Sequence, residues 1–212
     1  MPDDERPARS TVGVLRAPVP RHVADAAAAT LVAAFDGDTS AVGHDASAAA
    51  RRLLMRVPVD AAARDGGLLL TGEGSGPPTG VAAWVPGDRR SGGVGRVVGT
   101  GSWRLLPLLG PRRLMGVVRD AGRTDRLVQR YVHRDDAYLW LLGVAPPAQG
   151  RGLARVLVHA ACDDARAAGS RRLVLVTHRP SNVAVYRALG FDLLDDTETS
   201  RGHRLHVMAR PT

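Results

Sequence analysis

The chain has 212 residues, a formal net charge of +8 and one cysteine; all 29 basic residues are arginine, and isoleucine is absent as well. A single cysteine excludes an internal disulfide and a cysteine-based zinc site, and no apolar run approaches membrane-spanning length. The charge alone does not indicate a nucleic-acid partner, because the arginines are scattered through every segment with no long basic run and little aromatic interleaving. The bias toward Ala, Arg, Gly, Val, Pro and Asp is that of a high-GC genome, as in a high-GC bacterium. Residues 1–5 lack an apolar signal core, so a cytoplasmic, soluble protein is expected.

In chain order, residues 1–11 read as a disordered tail and 12–212 as one domain. A first strand is predicted over 12–16, an alanine-rich helix over 23–35 and a second helix over 46–56. Strands over 68–71 and 81–85 form a hairpin across a Gly- and Pro-rich turn. Residues 86–93 read as a loop. Helices follow over 103–109 and 112–131, broken at Gly110-Pro111. A strand over 138–144 leads into a helix over 153–168, and another over 172–177 leads into a short helix over 183–189. Pro180-Ser181-Asn182 reads as the turn and N-cap of that helix, and Gly190 as its C-terminal glycine. Strands beginning at Phe191 and over 205–209 complete the chain.

The loop Gln149-Gly150-Arg151-Gly152-Leu153-Ala154 carries the most chemistry. Small residues opening a helix leave backbone N–H groups unpaired and, with the helix dipole, create a phosphate site. Glycine lets the ligand's oxygens approach the backbone. No GxxxxGK[ST] is present, and the third glycine of a dinucleotide fingerprint is replaced by Ala154. The expected ligand group is a pyrophosphate. Downstream, Asn182 and Tyr186 lie four apart on one helical face. Asn182 is the chain's one asparagine, and Gln149 is one of two glutamines.

These motifs resemble the GCN5-related N-acetyltransferases. Gln149 to Ala154 matches that family's coenzyme A loop, Q/R-x-x-G-x-G/A. The stretch Asn182-Val183-Ala184-Val185-Tyr186-Arg187-Ala188-Leu189-Gly190-Phe191 is similar to its C-terminal signature, and Tyr138 to Val144 with Pro146 is similar to the strand entering the loop. The resemblance covers about residues 137–210, weakens over 12–85 and is absent over about 88–134. Within the family it is nearest the small-molecule branch that includes puromycin N-acetyltransferase. It implies an α/β fold with a mixed, mostly antiparallel twisted sheet, splayed central strands and flanking helices. It further implies acetyl-CoA as cosubstrate, no metal, and direct attack by a primary amine in a ternary complex.

On that resemblance the pantetheine pairs with the strand before the loop, near Leu142, Gly143 and Val144, where a bulge or splay would expose backbone groups. Residues 149–154 hold the pyrophosphate, and Asn182 either bonds the pantetheine or caps its helix. Tyr186 is the expected acid, since a phenol stays protonated at neutral pH. The branch's glutamate before the last strand threonine is replaced by Val176. Asp136 is therefore offered as base, with His178, Asp135, Asp36, His133 or a water chain as alternatives. Residues 88–134 are expected to shape the acceptor side or a homodimer contact; their Trp103, Leu105, Leu106, Leu114 and Met115 read as core first and as lining of an apolar acceptor site second. A small-molecule amine leads; a protein N-terminal or lysine substrate, or a non-catalytic acyl-CoA-binding regulator, stays open. Gly93 to Gly99 has the wrong spacing for a dinucleotide loop. His203 and His206 lack a third ligand and read as surface residues. Cys162 reads as a packed thiol.

Overall fold

The computed structural model describes residues 11–16, 18–37, 46–72, 76–90, 102–198 and 204–212. Seven strands form one sheet: β1 (Thr11–Leu15), β2 (Gly67–Gly72), β3 (Gly80–Pro86), β4 (Asp136–Val144), β5 (Arg172–Thr177), β6 (Asp192–Glu198) and β7 (Arg204–Pro211). Their spatial order is β1-β2-β3-β4-β5-β7-β6. Every neighbouring pair is antiparallel except β4 and β5. That one parallel pair needs a crossover, which the helix between the two strands provides.

Two layers of helix cover the sheet. On one face lie α1 (Arg21–Ala34) and α2 (Ala48–Asp65), packed on Leu68, Val81, Ala83, Val174 and Val207. On the other lies α4 (Leu153–Ala167), whose Leu157, Val158, Ala161 and Cys162 meet Leu69, Ala82, Leu139 and Leu175. Alternate residues of β5 divide between the two cores, Val174 to one and Leu173 and Leu175 to the other, as the period of a strand buried on both faces requires. Burial raises the Cys162 thiol above its ordinary range, which suits a packed group and not a nucleophile.

Helix α2 runs past its expected end at residue 56, through Pro58. The Val57-Pro58 step suggests a boundary, but Val59, Ala61 and Ala62 are fully buried and hold the next turns in place. Ser47 caps its start by accepting from the Ala50 N–H. Helix α3 (Leu106–Val128) follows a 3-10 turn, Ser102–Leu105, and is broken at Gly110, whose φ of 70° ends the first turn before Pro111 starts the next. Leu105 and Leu109 are buried in a small separate core with Ala50 of α2, with Leu114 packed against it, whereas Leu106 and Met115 are exposed. Where a loop is expected over 86–93, Gly87–Arg90 forms one helical turn. Residues 91–101 and His203 lie outside the described residues, as does the side chain of Trp103.

Candidate active site

Strand β4 is one residue too long for its partner. Ala83 pairs with Leu141 and Trp84 with Leu139, so Trp140 is the extra residue of a bulge. The slip is visible in the packing. Trp140 and Leu141 both turn to the α1–α2 face, while Leu139 and Leu142 turn to the α4 face. A bulge bends its strand and sharpens the local twist.

The consequence appears on the opposite edge of β4. Parallel pairing with β5 runs from Asp136↔Arg172 to Leu139↔Leu175 and stops there, although β4 continues to Val144 and β5 to Thr177. The two strands part in a V. Toward β3, β4 stays paired up to Gly80↔Val144, so its unpaired edge over 140–144 faces the opening. Gly143 serves a neighbour too: a Cβ there would stand 2.9 Å from Leu31 Cδ2 and 3.0 Å from Ala34 Cβ of α1. Its missing side chain lets α1 lie close against the open half of β4.

Past the V, Pro146–Ala148 forms a 3-10 turn, and the Gln149 side-chain amide donates to the Val144 carbonyl at 3.0 Å. Gln149 thus ties the loop back to the strand end. Gly150 and Gly152 both have φ of 76°, and a Cβ on either would meet nothing within 4 Å. The left-handed backbone accounts for the glycines, and the space above them is open. Gly152 is the N-cap of α4 with no side-chain cap, so the N–H groups of Leu153, Ala154 and Arg155 have no intrahelical acceptor. Arg151 is exposed beside them.

Helix α5 (Pro180–Ala188) covers the β5–β7–β6 side. Asn182 is not its cap. The helix starts earlier, at Pro180 after Arg179, because proline suits the first turn where no N–H acceptor is needed. The Asn182 amide instead donates to Thr177 Oγ1 at 3.1 Å, at the free end of β5. Tyr186 packs edge-on to Phe191, with ring centroids 5.6 Å apart, in the same core as Leu142 and Val144. Burial, with Tyr138 adding to it, pushes the Tyr186 phenol up to about 12. It stays protonated throughout the neutral range.

An unpaired strand edge thus ends at an open, uncapped helix start with a protonated phenol on the same side. A family model for the acetyltransferase (GNAT) family matches residues 78–191, more than half of the chain. The chain belongs to that family. It is an acyltransferase enzyme, and its family uses acetyl-CoA as cosubstrate for transfer to amines. Solved structures share the fold at low identity. A mosquito arylalkylamine N-acetyltransferase like 5b superposes with a TM-score of 0.63 at 10% identity, covering 95% of this chain and 100% of its own. A Corynebacterium glutamicum protein, described as histone acetyltransferase HPA2 and related acetyltransferase, gives 0.62 at 18%, covering 95% and 97%. A Drosophila melanogaster polyamine N-acetyltransferase gives 0.60 at 13%, covering 95% and 100%. No curated protein matches the chain.

For this acetyltransferase the expected base Asp136 requires correction. It is 2% exposed and sits at the start of β4, four residues and roughly 13 Å along the strand from Trp140. Arg172 grips both its oxygens, from Nε at 3.0 Å and Nη2 at 2.7 Å, and the His133 N–H donates at 2.9 Å. Burial raises its pKa, but the Arg172 and His133 hydrogen bonds outweigh that and hold the carboxyl below the usual range. It has neither the position nor the basicity for the task. Asp135 is paired with Arg171, Asp36 with Arg51, and His133 is exposed at the same wrong end. That end has a hollow of about 730 Å³ lined by Asp88, Arg89, Arg134 and Asp135 among others.

The Asp136–Arg172 pair is structural, and its removal has a defined signature. Arg172→Met should lower stability by about 3 kcal/mol, because it leaves a buried carboxylate without its partner. Acetyl-CoA affinity should not change, as urea unfolding and calorimetry would show. The folded pKa of Asp136 is depressed, so its contribution is present above about pH 4 and fades as pH falls through the folded value. The variant should therefore differ most from wild type at neutral pH.

A bulge or splay is expected near Gly143; the bulge lies at Trp140, a position that the apolar run by itself does not mark. The sequence also placed His206 on the surface, whereas His206 is 5% exposed on β7. Among the described residues no cluster of three metal-ligating side chains occurs, and no helix is long and apolar enough to cross a membrane.

Proposed function

We propose that the chain is an N-acetyltransferase that acetylates the primary amine of a small molecule, in the manner of the branch that includes puromycin N-acetyltransferase. The observation that carries this reading is the V between β4 and β5, where their pairing stops at Leu139↔Leu175. On the α4 face it adjoins the Gly150–Gly152 loop and Tyr186. On the α1–α2 face it is bordered by half-buried Trp140, Leu141 and Val176, with Phe35 and Met55 packed in the same core. A compact apolar wall suits the body of a small amine better than a polar peptide backbone.

Bound acetyl-CoA would supply an acetyl group activated as a thioester. The N–H groups of Leu153 and Ala154, with those of Gly150 to Gly152, hold the pyrophosphate, with Arg151 adding charge. Leu142, Gly143 and Val144 offer the unpaired edge of β4 to the pantetheine amides, as a sheet edge receives an added strand. An N–H on the same edge polarises the thioester carbonyl. Tyr186 donates a hydrogen bond to the sulfur as negative charge gathers there. A phenol near 12 is a weaker acid than a thiol, so its role is to hold that charge while the sulfur collects the proton released by the new amide. Asn182 fixes Thr177 beside the opening.

The acceptor assignment is tested by a panel of small primary amines and peptides in a thiol-release assay, with Trp140→Ala beside wild type. At least one small amine should be acetylated. Trp140→Ala should raise KM for that amine about tenfold and leave KM for acetyl-CoA within twofold. Acetylation of peptide N-termini or lysines with no small amine accepted would move the substrate to protein.

A further inference from the structure

His206 is a buried histidine for which the mechanism has so far no use. It lies on β7, directly opposite Thr177 of β5 and Asp196 of β6. Thr177 is the last residue of β5, beyond the point where β4 departs, so His206 is one strand away from the V. Both ring nitrogens are buried without a hydrogen-bond partner. Burying such a ring unsatisfied is costly, and natural cores rarely tolerate it without a purpose. The Asp196 carboxylate stands 3.4 Å from Nδ1, too poorly aligned for a hydrogen bond but close enough to pair with the ring once it is protonated. Arg204 lies 3.2 Å behind Asp196. From β5 the ring is faced by Thr177, and the overlying helix α5 carries Asn182 and Tyr186.

Thr177 supplies the connection. Its Oγ1 accepts from the Asn182 amide at 3.1 Å and from the Arg179 N–H at 3.4 Å. With its acceptor sites so used, its own O–H is left to donate, and the facing ladder position is His206. We propose that His206 receives the proton that the acceptor ammonium must lose before attack, relayed through Thr177. The ammonium N–H bond breaks and its proton passes to Thr177 Oγ1, directly or through one water. Thr177 Oγ1 makes no hydrogen bond to the ring in the resting structure, so a side-chain rotation first closes that gap; the Thr177 O–H proton then passes to a ring nitrogen of His206, and the imidazolium is neutralised by Asp196. The amine lone pair is then free to attack. The His206 proton returns to solvent after the turnover, and the second amine proton ends on the sulfur. This relay fills the place from which Asp136 is removed, and it rests on the N-acetyltransferase reading above.

The test uses His206→Gln and Thr177→Val in the full chain, with the amine found in the panel. Acetyl-CoA affinity by calorimetry and the pH profile of kcat/KM for the amine are measured together. Each variant should lose about 10²-fold at neutral pH, with acetyl-CoA affinity within twofold. The deficit should shrink as pH rises toward the pKa of the amine itself, where free amine needs no base. A merely structural role would give a deficit independent of pH, or one shared with cosubstrate affinity, and would overturn the proposal. Wild-type rates in both variants would overturn it as well, as would finding the pH-dependent loss in His178→Gln instead. A wild-type protein that binds acetyl-CoA but acetylates no amine would defeat the underlying functional reading, and this relay with it.

Discussion

Gly152→Asp should abolish acetyl-CoA binding while the protein stays folded. The backbone at Gly152 has φ of 76°, and aspartate is among the side chains that tolerate this region, at a cost of about 1–2 kcal/mol. A Cβ there meets no protein atom within 4 Å, so nothing inside the fold must move. The new carboxylate occupies the open space where a pyrophosphate would lie, and it repels that group. It also offers its oxygens to the uncapped N–H groups of α4. Hydrogen bonds to a charged ligand are worth about 1.5–3 kcal/mol each, so losing two weakens binding roughly 10²- to 10⁴-fold. Calorimetry should record no measurable heat for the variant at concentrations that saturate wild type. Undiminished affinity would remove the loop from the cosubstrate site.

Tyr186→Phe should lower turnover about 10²-fold or more, the usual effect of losing a hydrogen-bond donor to developing charge, with little change in acetyl-CoA affinity. Phenylalanine keeps the ring that packs edge-on to Phe191, and no hydrogen bond to the Tyr186 hydroxyl is found among the described residues, so stability should hold. The pH behaviour follows from the direction of the shift. Burial raises the phenol to about 12, so the donating form persists below that value and is lost only above it. The wild-type rate should therefore show no alkaline limb from this group up to about pH 11. Unchanged turnover in Tyr186→Phe on a verified acceptor would remove the charge-holding role of Tyr186 and leave the fold untouched.

The parts legible in sequence were those held by local chemistry. Gly190 marks the left-handed helix end expected of it, while Gly150 and Gly152, expected to admit a ligand's oxygens, also hold positive φ values. The strand at 172–177 and the start of the helix at 153 fall where periodicity puts them. What sequence hid depends on partners distant in the chain. The bulge at Trp140 exists only relative to the register of β3, 56 residues away at Trp84. Asp136 looked available until Arg172, 36 residues on, closed around it. His206 looked like a surface residue because its burial depends on its place in the sheet between β5 and β6. The run of α2 through Pro58 likewise reflects burial against the sheet overriding a local stop signal.

One continuous surface, the open edge of β4 and the loop before α4, is proposed to receive acetyl-CoA. Backbone amide NMR of the protein titrated with acetyl-CoA tests this most directly. The largest shifts should fall on the amides of Leu142, Gly143, Val144 and residues 150–154, with smaller ones at Asn182 and Tyr186. Shifts centred instead on the hollow at Asp88, Arg89, Arg134 and Asp135, with the 142–154 amides unmoved, would contradict it.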